Sequence, residues 1–235
     1  MKKGYTHVSI LIDRSGSMQS IKKDVIGGFN QLLEDQKKED GELTLSLTQF
    51  DDNFGSLCFE NTNDFAPLNE VKKLDESNYV PRGSTPLNDA LAKLINETGI
   101  RFAKMSESQR PEKVMMVIMT DGEENCSKEH TKDSVKKLIE HQEQKYGWKF
   151  IYIGANQDSF AESSTRGMNA GMNFDANKIG TKSAFYAASN VLRKSRKADL
   201  QSYATMDFAP DMEADYEASV KLETEKEKQG KYTLK

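Results

Sequence analysis

Cysteine is scarce in this chain of 235 residues, which contains only Cys58 and Cys126. Two thiols are too few for a disulfide framework, and they are also too few for a zinc site built from thiolates. The chain must therefore be held together by a hydrophobic core, and it is long enough to bury a sizeable one. Because disulfides are rare in reducing compartments, we expect a cytoplasmic protein.

Long apolar runs and an excess of basic residues are missing as well. No apolar stretch approaches the roughly 18 to 20 residues that a membrane-spanning helix needs. An apolar strand pattern begins at Val8, which leaves no room before it for the apolar region and cleavage site of a signal peptide. The formal net charge is -4, which argues against general binding to nucleic acid. We therefore expect neither a membrane nor a nucleic-acid partner.

What the sequence does contain is an alternation of strand and helix patterns. Six segments have the apolar or alternating pattern of a β-strand: 8–12, 42–50, 56–60, 113–120, 148–153 and 170–174. Apolar residues at helical spacing follow most of them, in 20–36, 87–95, 128–145, 160–167 and 181–197. The pattern is weaker in 61–81, where Val71 and Leu74 suggest one short helix.

This alternation predicts the fold class. Strands that alternate with helices are typical of an α/β protein with a parallel sheet, and the closely spaced segments 42–50 and 56–60 predict an antiparallel hairpin. We predict a Rossmann-like, doubly wound, mostly parallel six-stranded sheet with one antiparallel edge strand and helices on both faces. We assign residues 1–205 to this domain. The charged segment 206–235 has few large apolar residues, and we expect a C-terminal tail that is a frayed helix or disordered.

Oxygen-bearing side chains follow the first predicted strand. Asp13, Ser15 and Ser17 come directly after the apolar run, spaced two apart. A second aspartate, Asp121, follows the strand 113–120. In the common strand order 3-2-1-4-5-6 these two strands are neighbours, so their aspartates would emerge side by side where ligands bind. Adjacent carboxylates repel each other, so either one is protonated or a cation lies between them.

A third segment belongs to the same edge of the predicted sheet. Thr85 fits the N-cap of the helix that begins near Leu87, and Pro86 fits its first helical position. Carboxylates and hydroxyls are hard oxygen ligands, which suit a divalent cation such as Mg²⁺. Each segment alone also has a simpler interpretation, as a turn or a helix cap. The three together favour a metal site.

Three segments carry a family resemblance: Asp13-Arg14-Ser15-Gly16-Ser17, Gly83-Ser84-Thr85-Pro86-Leu87 and Thr120-Asp121-Gly122. They are similar to the three segments of the metal-ion-dependent adhesion site (MIDAS) of von Willebrand factor A (VWA) domains, in the order and spacing of that family. The resemblance covers roughly Thr6 to Asn173, which is most of the chain.

The resemblance implies a Rossmann-like domain that binds Mg²⁺, with Ca²⁺ or Mn²⁺ as alternatives. It implies that Ser15 and Ser17 coordinate the metal directly, and Thr85 directly or through water. Asp13 and Asp121 are implied to act mainly through water, which leaves one coordination position open. In this family a Glu or Asp of a partner protein usually fills that position. The resemblance therefore implies a protein-binding module without catalytic residues, not an enzyme.

Within the family, the chain resembles the compact intracellular bacterial and phage members. This expectation rests on the scarcity of cysteine, the missing signal peptide and the residue pattern of the segment 153–158. Asn156 and Asp158 follow the predicted strand 148–153, so we expect them at the rim of the site.

Two other functions compete with a protein-binding module. The first is a Mg²⁺-dependent hydrolase, such as a phosphatase, with Asp13 as the nucleophile. Phosphatases of the haloacid-dehalogenase type would require a second acidic residue two positions after Asp13, and this chain has Ser15 there. The second is a structural protein with a vestigial site, and the presence of every expected ligand argues against it.

Overall fold

The computed structural model of the protein describes residues 1–155, 159–168 and 170–232. Its sheet contains β1 (Lys2–Asp13), β2 (Glu42–Asn53), β3 (Ser56–Pro67), β4 (Pro111–Thr120), β5 (Lys149–Ala155) and β6 (Ala170–Phe174). The order across the sheet is β3-β2-β1-β4-β5-β6, and every neighbouring pair is parallel except β2 and β3. This confirms the predicted doubly wound sheet with one antiparallel edge strand.

Helices connect these strands and also follow the last one. In the described ranges they are α1 (Lys22–Gln36), α2 (Leu87–Lys104), α3 (Lys132–Tyr146), α4 (Ser159–Thr165), α5 (Lys178–Lys197), α6 (Leu200–Thr205) and α7 (Ala209–Tyr232). Short 3₁₀ helices cover Gly16–Ile21, Leu68–Glu70 and Glu107–Gln109. No helix in the described part of the chain combines the length and apolarity needed to cross a membrane.

The central strand β1 is buried on both faces of the sheet. Val8, Ile10 and Ile12 belong to a core cluster that includes apolar side chains of α1 and α5. Leu11 belongs to a second cluster, which includes apolar side chains of α2 and α3. Helices therefore cover both faces, as the continuous apolar run of this strand predicts.

The short helix suggested by Val71 and Leu74 is wrong, because residues 71–75 are irregular and the 3₁₀ helix Leu68–Glu70 ends before them. Two asparagine side chains supply the hydrogen bonds that helical turns would otherwise provide. Asn63 accepts from Lys72 N at 2.7 Å and donates to Lys72 O at 2.9 Å. Asn30 does the same with Leu74, at 2.9 Å and 2.8 Å. The backbone of the connection is thus satisfied by distant residues.

The C-terminal segment is more ordered than its composition suggests. We expected a frayed helix or disorder in 206–235, and the structure has the helix α7 packed along α5. Phe208 and Met212 are buried in the core, and Ser219 Oγ lies 2.9 Å from Ser183 Oγ of α5. A few apolar side chains, placed on one side, are enough to dock a charged helix. The domain boundary at residue 205 stays a prediction.

Candidate metal centre

The parallel pairing of β1 and β4 brings two aspartates to one edge of the sheet. Ile12 pairs with Met119, so Asp13 at the end of β1 and Asp121 just after β4 lie at the same level. Asp13 is completely buried and Asp121 is 8% exposed. The strand order reverses between β1 and β4, and this switch point is where open α/β sheets bind ligands.

Hydrogen bonds join four of the five predicted site residues into one cluster. The backbone N–H of Ser15 donates to Asp13 Oδ1 at 2.6 Å, and Thr120 Oγ1 donates to Asp13 Oδ2 at 2.5 Å. Ser17 Oγ donates to Asp121 Oδ1 at 2.7 Å and lies 3.1 Å from Ser15 Oγ. The loop after β1 and the loop after β4 therefore contribute oxygen atoms to one cluster.

The fifth predicted residue, Thr85, borders the same space. A methyl group placed on Gly122 would lie 3.5 Å from Thr85 Oγ1 and 3.7 Å from Ser17 Oγ. Both hydroxyls therefore lie close to Gly122, which immediately follows Asp121. The structure thus gathers all five residues, while their role as metal ligands stays a prediction.

The hydroxyls of Ser15 and Thr85 are not used as helix caps. Ser15 precedes the 3₁₀ helix Gly16–Ile21, and its side chain makes no capping hydrogen bond. Thr85 was predicted to cap α2, with Pro86 as the first helical residue. This is wrong, because Pro86 itself occupies the cap position and no side chain of that residue caps the helix. The capping interpretation therefore does not account for either hydroxyl.

The N-terminus of α2 is capped instead by the loop between β4 and α3. Glu124 Oε2 accepts from the backbone N–H of Asn88 at 2.7 Å, and Ser127 Oγ accepts from that of Asp89 at 3.0 Å. Asn125 Oδ1 accepts from the N–H of Thr85 at 3.0 Å. Because this loop begins at Asp121, these contacts fix the position of Thr85 relative to Asp121.

Charge is poorly accommodated at the two aspartates. Burial raises the pKa of Asp13 to about 7 and the nearby charge of Asp121 raises it further, whereas hydrogen bonds from Thr120 and Ser15 lower it. Burial also raises the pKa of Asp121, and the hydrogen bond from Ser17 lowers it. Neither carboxylate forms an ion pair with a basic side chain in the described ranges. Two buried carboxylates without a cation are costly, so a cation here would be stabilising.

The donor set suits a hard divalent cation. It consists of two carboxylates and three hydroxyls, and every donor atom is oxygen. No group of three or more His, Cys, Asp and Glu side chains that could hold a metal ion occurs in the described part of the chain. Any cation at this site therefore depends on the hydroxyls, and the residues present fit a hard divalent cation.

Arg14, between Asp13 and Ser15, is turned away from the cluster. Its buried guanidinium donates from Nε to Asp51 Oδ2 and from Nη1 to Glu60 Oε2, both at 2.6 Å. It thereby ties the first loop of the site to the β2–β3 hairpin. An arginine that could neutralise the aspartates is committed elsewhere, which leaves the site available to a cation.

Sequence reasoning missed the residues that support the site. Thr120 ends β4, and Glu124 and Asn125 lie in the polar segment that follows it, but only the folded chain identifies what each of them contacts. Two residues that were predicted at the rim of the site, Asn156 and Asp158, lie outside the described residues.

The fold and the cluster define a class: a doubly wound α/β domain with an oxygen-rich site at its switch point. The family model of the von Willebrand factor type A domain matches residues 7–197. The chain belongs to this family. A comparison with curated proteins found no match.

Solved structures share the fold at low sequence identity. Proximal thread matrix protein 1 from the mussel byssus has 18% identity and a TM-score of 0.53, over 81% of this chain and 46% of that one. A second structure of it, with a zinc-occupied MIDAS motif, has 15% identity and a TM-score of 0.54, over 80% and 48%. The PilB minor pilin from Streptococcus sanguinis has 14% identity and a TM-score of 0.53, over 81% and 61%. The chain thus spans about half to three fifths of these proteins.

Proposed function

We propose that this chain is a divalent-metal-dependent protein-binding module with a complete MIDAS that uses Mg²⁺. In this proposal Asp13, Ser15, Ser17, Thr85 and Asp121 hold the metal, and a partner protein supplies a Glu or Asp carboxylate. The observation that carries it is the cluster of two buried carboxylates and three hydroxyls, with no basic side chain paired to it among the described residues. Membership of the VWA family supports the same function.

The chain's own residues divide the task of binding between them. Ser15, Ser17 and Thr85 offer neutral hydroxyl oxygens directly or through water, and Asp13 and Asp121 balance charge mainly through water. When bound, the cation supplies positive charge that attracts an anionic oxygen of the partner. The directly coordinating hydroxyl oxygens would be neutral and the two carboxylates would act mainly through water, so the cation would keep positive charge at the open position. The Glu124 loop and Arg14 keep the donors in place.

The competing hydrolase, with Asp13 as nucleophile, is disfavoured by the surroundings of that residue. Asp13 is completely buried, and each of its carboxylate oxygens already accepts a hydrogen bond. A nucleophile needs an oxygen that can reach a substrate atom. We therefore propose a non-enzymatic role. From the resemblance and the scarcity of cysteine we further propose a cytoplasmic protein of bacterial or phage type.

The metal half of this proposal is tested by titration of Mg²⁺ into chelator-treated protein. We expect saturable heat release in calorimetry and a higher melting temperature in millimolar Mg²⁺ than in EDTA. Ser15→Ala should abolish both effects, and Ser108→Ala, which changes an exposed serine at the opposite edge of the sheet, should abolish neither. A melting temperature that Mg²⁺ leaves unchanged in the wild type would contradict the proposal.

The partner half is tested with short random peptides displayed on phage. Selection against the immobilised chain in Mg²⁺ should enrich peptides that contain Glu or Asp. Their binding should be lost in EDTA, on Ser15→Ala, and when the acidic residue is replaced by its amide. Enriched peptides that bind equally well in EDTA would show that the metal is not the recognition element.

A further inference from the structure

The tip of the β2–β3 hairpin carries an aromatic residue in an unfavourable position. Strand β2 ends at Asn53 and β3 begins at Ser56, so Phe54 and Gly55 form a two-residue turn. Their φ angles are 52° and 82°, which corresponds to the type I′ geometry. Asn or Asp is preferred at the first of these positions, because a side chain with an aromatic ring fits the left-handed region poorly. Phe54 is also completely exposed, at 101% of its reference area.

A second phenylalanine shows what usually explains such a conformation. Phe65 has a φ of 53°, and its ring stacks on His7 at a centroid distance of 3.9 Å. It also meets Phe102 edge-to-face at 5.4 Å. Packing therefore accounts for the strained backbone at Phe65. Phe54 has no ring contact of this kind with any described residue, so packing against the described part of the chain does not account for an aromatic side chain there.

The hairpin tip is attached to the loop that carries Thr85. The backbone N–H of Asp52 donates to Ser84 O at 3.1 Å. A methyl group on Gly83, whose φ is 65°, would lie only 1.9 Å from Asp52 O, so the two backbones are in close contact. Lys128, in the loop after Asp121, binds the backbone oxygen of Gly55 through its ammonium group. The tip is thus held by two of the three loops that contribute to the site, the loop of Thr85 and the loop after Asp121.

The strand register gives the height of the tip above the site. Asp13 pairs with Phe50 on the neighbouring strand β2. Phe54 lies four residues further along the chain, which at about 3.3 Å per residue places it roughly 13 Å above the level of Asp13. The hairpin therefore projects past the candidate metal site on the β2 side, and its turn carries an exposed aromatic ring.

We propose that Phe54 is a second docking contact for the partner protein that binds at the metal site. This rests on the proposed function and names the kind of partner. The partner is an extended protein segment with a Glu or Asp at the metal and an aliphatic or aromatic side chain on Phe54. The roughly 13 Å between the two levels corresponds to at least about four extended residues. The ammonium group of Lys128, which contacts Gly55 at the tip, favours further acidic residues in the segment.

The test uses the displayed peptides that are enriched in Mg²⁺. Phe54→Asn should weaken their binding at least tenfold, because the aromatic contact is lost while the site residues are unchanged. Phe54→Tyr, which keeps the ring, should retain most of the affinity. Ile100→Gln is the matched control, because Ile100 is another exposed apolar residue, on α2 and away from the hairpin. It should have no effect. The enriched peptides should carry an apolar residue at least about four positions from the acidic one.

The stability of Phe54→Asn provides a second readout. Asparagine tolerates a positive φ better than phenylalanine, so this variant should melt about 2–4 °C higher than the wild type. A lower melting temperature would mean that Phe54 has a structural role, which would overturn the proposal. Unchanged affinity for Phe54→Asn would overturn it as well. If that binding still requires Mg²⁺ and Ser15, the proposed function stands and only the second contact fails.

Discussion

Asp13 shows how a single buried carboxylate can be oriented and still lack charge compensation. Its two oxygens accept hydrogen bonds from Ser15 and Thr120, and the hydroxyl of Tyr79 donates to its backbone oxygen at 2.8 Å. These contacts hold the side chain without supplying a positive charge. At the scale of the residue, Asp13 is held in place while no described basic side chain compensates its charge, which supports the proposed cation.

The substitution Asp13→Asn should separate the orientation of this side chain from the cost of its buried charge. Asparagine can accept from Ser15 and donate to Thr120, whose hydroxyl lies 3.0 Å from Gly122 O and can donate there. In EDTA, removal of the buried charge should leave the melting temperature equal to the wild type or about 2–4 °C higher. In Mg²⁺ the variant should gain no further stability. Thermal melts in both buffers measure this.

The control for that substitution is Glu123→Gln, which removes an exposed charge from the neighbouring loop. It should leave both melting temperatures close to those of the wild type. A variant with Asp13→Asn that gains as much from Mg²⁺ as the wild type would exclude Asp13 from the metal site.

His7 makes the stability of the chain depend on pH. Burial lowers its pKa to about 3, and its ring nitrogens lie 2.9 Å from Thr44 Oγ1 and Ser9 Oγ. The unfolded chain, with a pKa near 6.5, binds the proton first as pH falls. Stability should therefore decrease as pH drops from about 6.5 towards 3, by up to about 1.4 kcal/mol per pH unit from this residue.

Urea unfolding at a series of pH values measures this dependence. His7→Gln should have a flatter profile than the wild type between about pH 6.5 and 4.5, since only the wild type protonates the buried ring on unfolding. His141→Gln changes an exposed histidine and should keep the steep profile. Parallel profiles for wild type and His7→Gln would contradict the assignment.

At the scale of the element, the loop between β4 and α3 is a folded unit built around acidic side chains. Glu124 accepts from the backbone N–H groups of Asn88, Cys126 and Ser127 and from Ser127 Oγ, at 2.7 to 2.9 Å. Asp89 accepts from three N–H groups of residues 128–130. Each carboxylate replaces a missing backbone acceptor, which explains how a loop without regular structure keeps a defined shape.

Glu124→Gln should weaken both the fold and the site. The amide group presents donors to backbone donors, so we expect a loss of about 1–3 kcal/mol in the free energy of unfolding. We also expect weaker binding of Mg²⁺, since Thr85 is held by the same loop. Urea unfolding and Mg²⁺ titration measure the two effects. Glu123→Gln, next to it and exposed, should change neither, and equal behaviour of the two variants would refute this role.

At the scale of the whole molecule, the core on one face of the sheet extends through α5 to the beginning of α7. The helix α7 is rich in Glu and Lys, and Lys182 of α5 pairs with its Glu223 at 2.6 Å on the surface. Ion pairs of this exposure contribute little. The contact is stabilised mainly by buried side chains near the beginning of α7, Met212 above all.

Met212→Ala should therefore destabilise the full chain by about 2–5 kcal/mol, as truncation of a buried methionine usually does. Leu222→Ala is the matched control on the same helix, because Leu222 is 52% exposed, and it should cost far less. Urea unfolding of both variants gives the comparison. Equal and small losses would support the predicted boundary at residue 205, with a tail that does not contribute to the core.

Sequence patterns predicted those parts of the structure that depend on regular spacing. The run from Val8 to Ile12 predicted a central strand because a strand covered on both faces must be apolar throughout. Val71 and Leu74 misled because helical spacing was present by chance, while the amides of Asn30 and Asn63 hold the chain in another conformation. Thr85 misled in a similar way, because its position next to Pro86 fits a cap that the folded chain places on Glu124.

The sequence by itself determined the α/β class, the order of elements and the five oxygen-bearing residues of the candidate site, because these follow from local pattern and from motif spacing. The tertiary structure alone decided which side chains support that site and which residues stand beside it. Arg14 and Glu124 contact residues far away in the chain, and the role proposed for Phe54 rests on its exposure and on the absence of ring contacts with the described residues. Such relations depend on how three loops and a hairpin meet at the carboxyl ends of the strands, and no local sequence pattern encodes that arrangement.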